Sequence, residues 1–101
     1  MVAIMYTIWH SNIAEIEWDD RKNHANFSKH QIWFEEAATV IEHPLSRDFV
    51  DPDHSERTLC VGYSQQQRIL FVVYIEMENA YRIISARKAT LRERRAYEEG
   101  I

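Results

Sequence analysis

Five histidines and a cluster of C-terminal arginines are the residues of this chain best suited to chemistry. A histidine titrates near neutral pH, with an unperturbed pKa of about 6.5, and so can give or take a proton in a reaction. An arginine offers a planar fork that grips two oxygens of one phosphate and never deprotonates near pH 7. Arg82, Arg87, Lys88, Arg92, Arg94 and Arg95 fall within one short stretch, and Arg68 stands apart at the start of an apolar run. By themselves these groups establish only a basic C-terminal part that could attract phosphate.

The overall charge of -4 argues against nucleic acid when taken alone, but the charge is unevenly spread. Residues 1–65 hold five Lys and Arg against eleven Asp and Glu, whereas residues 66–101 hold seven against five. Screening limits each charge to a reach of about 10 Å, so a basic region on an acidic protein still attracts phosphate. The acidic part also suits pairing with a complementary partner, since opposite charge speeds association.

These groups need elements to position them. Ile16-Glu17-Trp18 alternates like a short strand, and Asp19 stands where a helix N-cap belongs. Lys22, Asn26 and Lys29 follow at i, i+4 and i+7, which would give the first helix a polar, basic stripe. Phe34, Ala37, Ala38 and Ile41 repeat at helical spacing in a second helix over Trp33 to Glu42, which Pro44 ends. The period then becomes two. Strands are predicted over Arg47 to Asp51, Arg57 to Tyr63, Arg68 to Ile75 and Tyr81 to Arg87, with turns at Pro52-Asp53-His54-Ser55, Ser64 to Gln67 and Glu76 to Ala80. The run after Arg68 is apolar on both faces, as a central strand should be. Ala89 to Glu98 closes the chain as a helix. The expected architecture is α+β: an antiparallel sheet of about four strands, with two N-terminal helices and a C-terminal helix on one side.

One domain is expected over residues 1–101, without linker or repeat. Cys60, the single cysteine, lies in a strand-like run and reads as a core residue rather than a nucleophile; no intrachain disulfide is possible, so a reducing, cytoplasmic setting fits. Met1 to Trp9 is apolar but too short to span a membrane, and reads as a strand, a docked arm or a start-site extension. Trp18, Trp33 and Phe34 read as core rather than as platforms for stacking bases.

Three segments together resemble the BrnT toxins: "KNHANFSKHQIWFEEA" from Lys22 to Ala37, "DHSERTLCVGYS" from Asp53 to Ser64, and "RIISARKATLRERRAYE" from Arg82 to Glu98. The likeness runs from about residue 16 to 98 and leaves 1–15 outside as an extension. Gln31 and Gln67 stand where members commonly carry Gly, which would permit a positive φ.

The resemblance implies a RelE-like fold and a toxin of a type II toxin-antitoxin pair that cleaves RNA without a metal or other cofactor. It also implies a BrnA-like, DNA-binding antitoxin as partner in a hetero-oligomer, and no membrane. Such cleavage uses the 2'-hydroxyl as nucleophile, and needs a base, an acid and cations for the phosphorane-like transition state. Among residues at family positions, His30 ranks first for proton transfer because it adjoins Lys29, with His54 second; His10, His24 and His43 rank below. Glu35 is a base or an orienting partner for His30. Arg68, Arg82 and Arg87 are the favoured cations, joined by Lys29, with Lys22, Lys88 and Arg94 in RNA binding. Intrahelical pairing with Glu93, Glu98 and Glu99 explains Arg92, Arg94 and Arg95 at least as well as RNA contact does. The alternative from another class is a catalytically idle module that only binds the antitoxin, suggested by Gln67 beside Arg68. An autonomous DNA-binding domain is disfavoured by the absence of a helix-turn-helix pattern.

Overall fold

The computed structural model describes residues 15–100; the apolar Met1–Trp9 stretch and His10 lie outside the described residues. The elements follow in the order β1 (Glu15–Trp18), α1 (Asp20–His30), α2 (Phe34–Glu42), β2 (Arg47–Val50), β3 (Arg57–Tyr63), β4 (Ile69–Glu76), β5 (Ala80–Lys88) and α3 (Leu91–Glu98). The strands form one sheet in the order β1-β5-β4-β3-β2. Three expectations are corrected here. The sheet has five strands rather than about four, and it is mixed rather than antiparallel, because β1 pairs parallel to β5 with Glu17 opposite Arg82. The helices also do not share one side. Cys60, Leu70, Val72 and Ala86 are buried in one cluster with Phe34, Ala37, Ala38 and Val40 of α2, and Ala86 is bonded to Asn26 of α1. The neighbouring row Arg47, Val61, Phe71 and Arg87 points the other way, under Glu93, Ala96 and Tyr97 of α3.

The core is built from Ile16 and Trp18 of β1, Ile32, Phe34, Ala37, Ala38 and Val40 around α2, and the inward residues of β3, β4 and β5. Trp33 departs from the core reading: it is 38% exposed, while Trp18 and Phe34 are fully buried, with their rings edge to face. Gly62 lies close against Ser46, in the segment that follows α2. A Cβ there would lie 2.0 Å from Oγ of Ser46, whose hydroxyl donates to the Val40 carbonyl and so satisfies the end of α2.

The polar stripe expected on α1 splits. Lys22 and Lys29 are exposed, but Asn26 is buried and works as a strand substitute. β1 pairs with β5 only as far as Ile83, so among the described residues no strand lies beside the edge of β5 at Ala86. The Asn26 amide fills that place: its oxygen accepts from the Ala86 N–H (3.1 Å) and its nitrogen donates to the Ala86 (2.9 Å) and Ile32 (2.8 Å) carbonyls. Asn23 performs a similar service for α2. Trp33 stands at the N-cap without a capping side chain, and Oδ1 of Asn23 accepts from the Phe34 N–H at 2.7 Å instead. In β5 a bulge at Ile84 shifts the alternation, so that Arg82 and Arg87, of opposite parity in sequence, project to the same face.

Gln31 and Gln67 both have φ of 63°, the left-handed conformation that a Gly would adopt without strain. Gln31 ends α1 and Gln67 turns β3 into β4.

Two stability measurements check this reading. Asn26→Ala leaves three buried backbone groups without partners and should lower the unfolding free energy by about 2–4 kcal/mol in urea titration. Gln67→Gly should leave stability unchanged or raise it by up to about 1 kcal/mol, whereas Gln67→Val should lower it by about 1–2 kcal/mol. Equal effects of Gly and Val would mean that φ at this turn does not matter.

Candidate functional site

A cleft of about 400 Å³ opens at the end of the sheet where the β3–β4 turn, the last residue of β5 and α3 meet. It is lined by Tyr63, Gln67, Arg68, Ile69, Lys88, Ala89, Arg94 and Glu98, and so gathers three cations from three separate elements. Arg68 is fixed by Glu36 of α2, a carboxylate only 6% exposed. The guanidinium binds it side-on, with Nε donating at 2.9 Å to one oxygen and a terminal nitrogen donating to the other. Ser64 donates to the same carboxylate at 2.7 Å. A guanidinium carries five N–H donors, so this side-on bond leaves three for a ligand.

Burial alone would push the Glu36 carboxyl up. Hydrogen bonds from Arg68 and Ser64, with the charges of Arg68 and Lys88, outweigh it and hold the group below the usual carboxylate range. The same bond holds the Arg68 guanidinium above its usual range. On the far wall the Tyr63 hydroxyl donates to Glu98 at 3.3 Å; partial desolvation and the Glu98 charge raise it above an ordinary phenol, so it stays a proton donor at neutral pH.

Arg87 sets the two walls in register. Its guanidinium lies 4.2 Å from the centre of the Phe71 ring and binds Glu93 through two bonds of 2.8 and 2.9 Å. Glu93 also closes a capping box with Thr90 at the start of α3. Lys88 and Arg94 are the next residues along from Arg87 and Glu93, so this clamp decides how far apart the two cleft cations sit.

The sequence-predicted residues therefore divide. Arg68, Lys88 and Arg94 come together, and Arg87 stands just behind them as the clamp. Arg82 does not join: it pairs with Glu17 at 2.7 Å, opposite Ile75 near the start of β5, about 20 Å along the strand from Lys88. The three favoured arginines thus do not converge on one phosphate, and each is already engaged by a carboxylate. His54 lies in the β2–β3 turn, 3.8 Å from Glu56 and at the opposite end of β3 from Tyr63. Lys29 and His30 occupy the last turn of α1, Lys22 is exposed in its first half, and none of them lines the cleft. Glu35 accepts from Asn23 at 2.9 Å and lines a neighbouring cleft. Cys60 is buried, and burial followed by the charge of Asp48 pushes its thiol up, as befits a core residue. Tyr63 and Glu98 escape a reading of the sequence, although both lie inside matched segments: nothing in their spacing shows that a strand end and a helix end will meet.

The sequence matches the family described as "Ribonuclease toxin, BrnT, of type II toxin-antitoxin system" over residues 18–93. The chain belongs to the BrnT family. The matched span holds Tyr63, Arg68 and Lys88, while Arg94 and Glu98 follow just beyond it. The crystal structure of the Brucella abortus ribonuclease toxin BrnT resembles this fold with a TM-score of 0.59 at 24% identity, over 72% of this chain and 92% of that one. Comparison with curated proteins gave no match. Membership of a BrnT family of type II systems makes this chain a ribonuclease toxin with a cognate antitoxin. No helix among the described residues is long and apolar enough to cross a membrane.

The anchoring of Arg68 carries a pH signature. Glu36 titrates below the ordinary range in the fold and at about 4.3 once unfolded, so the unfolded chain takes up the proton first and stability falls as pH drops through that range. Urea midpoints should therefore decline from pH 7 to about 3. Glu36→Gln should flatten that decline while lowering stability at pH 7 by about 1–3 kcal/mol. An unchanged acid slope in the variant would remove Glu36 as its source.

Proposed function

We propose that this chain is an endoribonuclease that cleaves RNA by attack of a 2'-hydroxyl on the adjacent phosphate, without a metal, in the cleft of Arg68, Lys88 and Arg94. The observation that carries the reading is the convergence of these three cations from the β3–β4 turn, β5 and α3 beside a Tyr63–Glu98 pair. The cations hold the phosphate and offset the charge that builds on its oxygens in the transition state. Glu98 takes the proton of the 2'-hydroxyl as its oxygen bonds to phosphorus. Tyr63 gives its proton to the departing 5'-oxygen as that bond breaks. The products are a 2',3'-cyclic phosphate and a 5'-hydroxyl, and the Tyr63–Glu98 hydrogen bond returns the proton to the tyrosine. His30 and His54 have no part in this scheme, because neither lines the cleft. The partner that restrains the toxin is a BrnA-like, DNA-binding antitoxin, and the pair acts in the cytoplasm.

Gln67 bears on the idle-module alternative. It takes the left-handed conformation that the turn requires, and Arg68 reaches the cleft. That retained turn geometry supports the active reading.

The test is cleavage of end-labelled RNA by purified protein in excess EDTA. Cyclic phosphate ends are expected, with no cut where the nucleotide carries a 2'-O-methyl group. Lys88→Ala and Arg94→Ala should each slow cleavage by about 10²-fold, and Tyr63→Phe and Glu98→Gln by about 10²–10³-fold, all with native melting temperatures. Cleavage that needs an added divalent ion, that leaves 5'-phosphate ends, or that survives in these variants would overturn the proposal.

A further inference from the structure

β2 is an outermost strand of the sheet, with β3 on one side and, among the described residues, no strand on the other. Its ladder to β3 fixes which backbone groups that free edge carries. The Asp51 N–H donates to the Arg57 carbonyl at 3.1 Å, and such bonds recur at every second residue of an antiparallel pair, so Arg47 and Phe49 spend theirs on β3. The N–H and carbonyl groups of Asp48 and Val50 therefore point outward, and among the described residues no backbone group pairs with them. Native sheets blunt such edges with lysine, proline or a bulge. β2 instead shows two large apolar side chains there, with Phe49 47% and Val50 68% exposed.

The sequence of this edge complements itself. Let β2 pair antiparallel with β2 of a second copy about a two-fold axis through Phe49. Asp48 then lies opposite the copy's Val50 and Val50 opposite its Asp48, which gives four backbone hydrogen bonds. Phe49 faces its own copy across the axis, and on each side of it Arg47 of one copy faces Asp51 of the other. These are the close pairs of an antiparallel ladder, with Cα atoms about 4.5 Å apart, where facing side chains meet best. Arg47 forms no ion pair among the described residues. The Asp51 carboxylate accepts the Asp53 N–H at 2.9 Å through Oδ1, which leaves Oδ2 for a guanidinium. The adjoining two-fold registers fail. A shift one way sets Asp48 against Asp48, and a shift the other way calls for an N–H from residue 52, which is proline.

We infer that two copies of this chain associate through β2 in that register, so that their sheets join into one continuous sheet with both α3 helices on the same face. A four-residue edge buries little area, so the dimer is a transient one that forms in the micromolar range or above. The surface shares no residue with the cationic cleft, and therefore stands or falls apart from the ribonuclease reading.

The test is sedimentation equilibrium of the purified chain and three variants, with far-UV spectra to check their folding. The wild-type mass should rise from that of one chain toward that of two between about 1 µM and about 500 µM. Val50→Pro removes an outward N–H that β3 does not use, and should hold the mass at one chain throughout. Arg47→Glu and Asp51→Lys each set like charges together at both ends of the pairing, and each should weaken association on the order of tenfold. Mixed in equal amounts, these two variants form a pair in which every facing charge is again opposite, so association should return. Should Val50→Pro fail to fold, the charge variants decide alone. A wild-type chain that stays monomeric overturns the inference, as does a dimer that these substitutions leave intact, or a mixture that fails to recover. A free chain that stays monomeric and binds its antitoxin in a manner sensitive to Val50→Pro would give the edge to that partner, and likewise overturn it.

Discussion

A carboxylate as buried as Glu36 has to be surrounded by donors, and the donors found for it decide how the molecule is arranged. Arg68 and Ser64 come from the β3–β4 turn, and Glu36 comes from α2, so one charged group locks the helical layer to the end of the sheet. Thr39, one turn further along α2, accepts from the Gln65 N–H and repeats the link. The turn is thereby held by side chains at both ends. Its conformation includes a left-handed glutamine, which the surrounding bonds can impose. The ion pair also orients what it binds. Engaged side-on, Arg68 keeps its outer donors at the cleft.

A similar economy governs the asparagines of α1. Asn26 completes an unpaired stretch of β5, and Asn23 completes the start of α2, so the helix acts as a connector whose polar residues replace backbone partners. The core beneath is conventional. What is specific to this fold is supplied by side-chain amides and charges at its seams.

Much of the architecture is legible because the sequence switches cleanly between periods of about 3.6 and two at residue 47, and Asp19, Pro44 and the turn clusters mark the boundaries. The parallel pairing of β1 is not legible: a four-residue strand carries no sign of its neighbour, and the bond from Arg82 to Glu17 spans 65 positions. The placement of α3 is hidden for a related reason. The row of Val61 and Phe71 that it covers looks like any half-buried strand face. For the site, residue type foretells the cations Arg68, Lys88 and Arg94, but ranking by strand ends also admits Arg82, which the topology sends to the far end of β5. The histidines rank by adjacency in sequence, which does not report that a helix end and a β-turn lie away from the cleft. Trp33 reads as core by its hydrophobicity alone; the capping role of Asn23, which frees it, depends on a contact between two helices.

One wall of the cationic cleft belongs to α3, a helix without a single buried residue. It is held by the Arg87–Glu93 clamp, by a hydrogen bond from Tyr97 to the Leu45 carbonyl and by the contact between the Tyr63 and Tyr97 rings. Such an element detaches at a smaller free energy than the sheet melts. On warming, the wall that carries Arg94 and Glu98 is expected to come away while the five strands remain paired, so the cleft opens out before the protein loses its fold.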